Sequence, residues 1–162
     1  MTPLVLCYLM EDGKLLIAGV GSLGCRWARA AHSRVSDWVD LALVDADARS
    51  MDGAKHANCL ILGDSTSEVG CAGMPQLAEA RMRSLQPITD HFLGDAELLV
   101  LLTGLGGGSG SGASVEFARQ AAQSGCLVIT VAAMPFSAQF ERQRIAESAL
   151  PRLSKYSHVC VE

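Results

Sequence analysis

Residues 104–112 carry six glycines, interleaved with Ser109 and Ser111. An apolar run at 98–102 (LLVLL) feeds this segment, and a helical pattern over 115–123 leaves it. Flexible linkers do not sit between two core elements, so a glycine run placed here is a turn of fixed shape. Its N–H groups, unobstructed by side chains, can curve around an anion, with the two serine hydroxyls as extra donors. A buried strand feeding a glycine turn and then a helix is a unit of the doubly wound α/β fold.

The rest of the chain repeats that unit. Short apolar runs at 15–18, 41–44, 59–62, 127–131 and 158–161 alternate with helical patterns at 26–32, 75 onward and 140–150. Pro75 suits a first helical position, Pro87 is expected to break the helix that follows it, and Gly125 stops the one before the fifth strand. Aromatic residues make up only 5% of the chain against 49% hydrophobic residues, so the core is aliphatic, as parallel sheets buried on both faces require. Strand–helix alternation implies right-handed parallel crossovers and the expected strand order 3-2-1-4-5-6. Residues 4–9, before the Asp12-Gly13 turn, are a candidate extra edge strand. The length fits one domain over residues 1–162.

A second glycine turn, GVGSLG at 19–24, follows the first strand and opens the first helix. Its glycines, Gly21 and Gly24 among them, permit a tight turn and close approach to a phosphate, with Ser22 beside them. The same motif also occurs as a plain strand–helix turn. In the expected strand order, strands one and four are neighbours at the switch point, so both turns open on one crevice. Asp45 and Asp47, after strand two, stand where dinucleotide folds place a ribose-binding acid, or serve as a cap or a solvated carboxylate. No lysine follows the glycines, which excludes a Walker-type loop.

Other chemistry is poorly supported. The formal net charge of −4 argues against a non-specific nucleic-acid binder. The six cysteines never form the close pairs that zinc or redox sites need, which fits small core residues and a cytoplasmic setting. No apolar run approaches the length of a membrane-spanning helix, so no membrane insertion is expected. His32, His56, His91 and His158 lie scattered, with no nucleophile motif beside them.

The segment TGLGGGSGSGA at 103–113 resembles the signature loop of the tubulin/FtsZ family, usually GGGTGTG, with both threonines replaced by serine. IAGVG at 17–21, VDADA at 44–48, GCAGMP at 70–75 and MPF at 134–136 resemble that family's other loops in order and spacing, along residues 14–161. The resemblance implies a guanine-nucleotide site, GTP or GDP with Mg, whose phosphates lie on Gly21, Ser22, Gly24, Gly73, Gly106, Gly107, Gly108, Ser109, Gly110 and Ser111. It places Asp45, Asp47, Glu141 and Arg144 toward the ribose and base.

The chain also departs from that pattern. Cys25 and Arg26 stand where the family's first loop reaches an asparagine, and Met74 replaces the asparagine of its γ-phosphate loop. Gln139, Glu141, Arg142 and Arg144 compete for the family's ribose-contacting Glu and Arg. The guanine-reading helix, the catalytic loop with paired acids and the second domain have no counterpart in these residues. The expectation is a nucleotide-binding regulatory or assembly module with negligible hydrolysis alone and at most modest selection of guanine. Its expected partner is a second copy or an FtsZ-like protein. The alternatives are a nicotinamide-dependent or adenylating enzyme, which leaves the second glycine turn unexplained, and a scaffold that has lost its ligand.

Overall fold

The computed structural model describes residues 14–35, 38–54, 57–63, 71 and 73–162; the candidate edge strand at 4–9 lies outside them. Six strands form one sheet in the order β3-β2-β1-β4-β5-β6, as expected, and every pairing is parallel. They are β1 (Lys14–Val20), β2 (Val39–Asp45), β3 (Asn58–Ile61), β4 (Ala96–Gly104), β5 (Leu127–Ala133) and β6 (Val159–Val161). The helices are α1 (Gly21–His32), α2 (Pro75–Ser84), α3 (Gln86–Leu93), α4 (Ser114–Gln123) and α5 (Phe140–Tyr156). A 3-10 turn (Ala48–Met51) follows β2, and a π-helical turn (Ser109–Ala113) leads into α4.

Strand alternation divides the core between the two faces of the sheet. Leu16, Ala18 and Val20 of β1 join Leu99 and Leu101 of β4 under α2, α3, α4 and α5, where Met82, Phe117, Ala121 and Leu153 are fully covered. Ile17 of β1 and Leu41 and Leu43 of β2 point the other way, onto Cys25 and Ala28 of α1. Among the described residues the sheet is thus covered unequally, by one helix on one face and four on the other.

Two elements run further than local pattern predicts. The first helix begins at Gly21 rather than near Arg26, because the polypeptide turns directly from β1 into α1. An added Cβ at Gly24 would overlap the Leu102 carbonyl, so the missing side chain lets α1 lie against β4. The last helix continues through Pro151 to Tyr156. Proline forfeits one helical hydrogen bond. Here the final turns are held by Leu153, buried in the core, and by Arg152, whose guanidinium donates to both Glu79 oxygens at 2.8 Å. The expected break at Pro87 occurs just before it, at Leu85, between α2 and α3.

Candidate functional site

Turn one joins β1 to α1. Gly21 has φ 75°, a left-handed conformation that a glycine adopts freely, and no side chain caps the helix that starts there. Turn two joins β4 to the π-helical turn, which also begins without a side-chain cap, at Gly108. Because β1 and β4 are neighbours, both helix N-termini open on one cleft. First-turn amides of a helix lack internal partners and carry its positive end, so two such termini on one cleft make a strong site for a polyanion.

The cleft has a volume of about 430 Å³. Gly21, Ser22, Gly107, Gly108, Ser109 and Gly110 form its glycine wall. Met134, Pro135 and Phe136, which follow β5, form an apolar wall with Gln139 and Arg142 beside it. Phe136 is 82% exposed at the mouth.

Several glycines of the expected site serve the protein's own packing. A Cβ on Gly110 would overlap the Gly104 carbonyl, and one on Gly112 would overlap the Pro75 carbonyl. Gly106, at φ 95°, leaves room for Arg142, whose Cβ would lie 2.9 Å from an added methyl. Gly107 differs from all of these: nothing lies within 4 Å of the position its Cβ would take. Gly24, in the first turn of α1, is buried against β4 and lines no part of the cleft.

The polar side chains sort in the same way. Ser22 Oγ donates to Asp45 Oδ2 at 2.8 Å, and the Ala46 amide donates to Oδ1 at 2.7 Å. Asp45, only 3% exposed, therefore forms part of the cleft floor with both oxygens engaged. Ser109 faces the cleft, whereas Ser111 is buried and its Oγ accepts the Gly106 amide at 2.8 Å. Asp47 does not line the cleft; it chelates the Arg49 guanidinium, and those hydrogen bonds hold its carboxyl below the usual carboxylate range. Among the four residues competing after β5, Gln139 and Arg142 reach the cleft. Arg144 instead lines a neighbouring groove of about 500 Å³ with Gly73, Met74, Ser111 and Arg152. Glu141 is exposed and lines neither cavity.

Beneath turn one, Cys25 is fully buried with Sγ 3.4 Å from the Gly19 carbonyl. Burial, reinforced by the Asp45 charge, pushes its thiol up to about 12, so it is a protonated core group and no nucleophile. Thr103, the first residue of the signature-like segment and given no role of its own from the sequence, is also fully buried. Its hydroxyl lies 3.2 Å from the Val20 carbonyl, immediately before turn one, and 3.0 Å from the Gly110 carbonyl, within turn two.

This geometry agrees with comparison to known proteins. The GTPase domain of the Tubulin/FtsZ family matches residues 14–162. The chain belongs to the tubulin/FtsZ family. FtsZ of Aquifex aeolicus is 30% identical over 144 residues, which is 88% of this chain and 38% of that protein. FtsZ 2 of Halobacterium salinarum is 27% identical over 143 residues, 88% of this chain and 36% of that protein. The chain therefore spans well under half the length of these curated relatives. Among solved structures, an empty FtsZ dimer of M. jannaschii superposes with a TM-score of 0.79 at 21% identity, covering 99% of this chain and 48% of that one. A GTPγS-bound protofilament of CetZ2 from Haloferax volcanii gives 0.76 at 23% identity, covering 91% and 48%. Both share the FtsZ-like fold, and no helix among the described residues is long and apolar enough to cross a membrane.

Proposed function

We propose that the cleft binds a guanine nucleotide, with its phosphates on the amides of the two glycine turns and its ribose and base toward Gln139, Arg142 and Phe136. The observation that carries this reading is the convergence of two helix N-termini without side-chain caps on one cleft, at Gly21 and at Gly108. The choice of guanine rests on the family. Arg142 adds a cation to the cleft wall, suited to a phosphate or a ribose hydroxyl.

The site's own residues bind without activating water. Among the described residues Asp45 is the one carboxylate lining the cleft, and it is engaged by Ser22 and the Ala46 amide. A general base must reach the proton it takes, and none of the described residues brings a free carboxylate to the cleft. Hydrolysis then needs acids from a different polypeptide, an FtsZ-like partner docking over the turns; in this role the chain is a regulatory or assembly module. Calorimetry with GDP, GTP, ATP and NAD tests the binding, and phosphate release across a concentration series tests the chemistry. The expected result is guanine-nucleotide binding, no NAD binding and negligible turnover. Equal binding of NAD, or turnover rising steeply with protein concentration, would overturn the respective half of the proposal.

A further inference from the structure

We infer that Thr103 is a positioning residue that locks the two glycine turns into one register, so that a phosphate chain meets both at once. This rests on the nucleotide reading and deepens it. The two turns belong to different crossovers, separated by more than eighty residues of sequence, yet their backbones abut: a Cβ at Gly21 would lie 3.1 Å from the Gly110 amide nitrogen. Contact alone lets two backbones slide. Thr103 opposes this, because its single hydroxyl sits between the Val20 carbonyl, immediately before turn one, and the Gly110 carbonyl, within turn two. The Gly110 carbonyl also accepts from Ser114 Oγ, which fastens turn two to the start of α4. Thr103 itself is fully buried on β4 and in register with Val20 of β1. It lines no part of the cleft; whatever it does for binding it does through the turns.

A single phosphate can rest on one turn alone. A di- or triphosphate must find donors from both turns at a fixed spacing, and misplacement of well-oriented groups by about 1 Å is costly. Loss of the hydroxyl therefore penalises ligands by the length of their phosphate chain. The residue's own fold contribution is controlled by Thr130, an equally buried threonine on β5 whose Oγ1 pairs with Ser157 Oγ at 2.7 Å, away from the cleft.

The experiment is calorimetric titration of Thr103→Val, Thr103→Ser and Thr130→Val with GDP, GMP and inorganic pyrophosphate, at a temperature where circular dichroism shows each variant folded. Thr103→Val is expected to weaken GDP and pyrophosphate about tenfold or more and GMP less than about threefold. Thr103→Ser and Thr130→Val should bind all three ligands within about threefold of the parent. Equal loss for GMP and GDP, loss of the same size in Thr130→Val, or full GDP affinity in Thr103→Val would overturn the inference while leaving nucleotide binding intact. Absence of GDP binding by the parent protein would overturn the nucleotide reading and this inference with it.

Discussion

Gly107 and Gly110 look interchangeable in the sequence, yet they perform different tasks. A side chain on Gly107 would project into open space, and the residue lines the cleft. Gly107→Val should therefore leave the fold nearly unchanged and fill the phosphate site, reducing GDP affinity by about 100-fold, or ~2.7 kcal/mol. Gly110→Ala forces a methyl against the Gly104 carbonyl and should cost about 3 kcal/mol of stability, whatever the ligand. Urea unfolding and calorimetry on both variants separate the effects; a Gly107→Val protein that binds like the parent would remove this turn from the site. The sequence revealed that a glycine was needed at each position but not why, because ligand approach and backbone packing both select the smallest residue. Thr103 was hidden for a related reason. Threonine is an ordinary strand residue, and only the adjacency of β1 and β4 brings the Val20 carbonyl to its hydroxyl.

At the scale of elements, the strands were the most legible part. A parallel sheet buried on both faces demands unbroken aliphatic runs, and the two glycine turns marked which strands are neighbours. Helix phase was not legible. Whether Arg142 or Arg144 enters the cleft depends on α5 settling its Arg142 backbone against Gly106, a contact between segments remote in sequence. The packing of the four helices on one face also rests on a polar cluster that local patterns do not show. Buried Glu116 of α4 accepts from Arg119, Gln120 and Arg83, while Gln120 accepts from Thr89 of α3. Burial alone would raise the Glu116 pKa, but the hydrogen bonds from Arg119, Gln120 and Arg83 outweigh it and hold the carboxyl below its ordinary 4.5. A carboxyl with a depressed folded pKa contributes stability that is complete above its unfolded value and lost as pH falls through the folded one. The unfolding midpoint should thus decline as pH drops below about 4.5. Glu116→Gln should lose about 2 kcal/mol at neutral pH and show a shallower acid decline. Parallel pH profiles for parent and variant would refute the assignment.

Across the whole molecule, the proposed site and the stability of the fold are one system. The cleft is built at the carboxyl ends of β1 and β4, the two central strands of the sheet, and both faces of the core pack on them. Turn one anchors α1, which covers one face, and turn two anchors α4, which lies among the helices of the other. Unfolding of either face therefore destroys the site, and a ligand held by both turns stabilises the domain as a unit. A ligand that binds only the native state adds about 2.7 kcal/mol when present at 100 times its Kd. For a domain of this size each kcal/mol raises the melting midpoint by about 2–4 °C, so saturating GDP should raise it by about 5–11 °C. In the proposed site the phosphates carry the effect, because the amides of Gly107 to Gly110 and of the first turn of α1 would be the donors. Guanosine at the same concentration, which has a base and ribose but no phosphate, should leave the midpoint within about 1 °C of the free protein. Differential scanning calorimetry with guanosine, GMP, GDP and GTP should then show the midpoint rising with phosphate number up to the diphosphate in a single cooperative transition. A shift as large with guanosine as with GDP would move the affinity to the apolar wall at Met134 and Phe136, and the glycine turns would be connections in the fold rather than its binding surface.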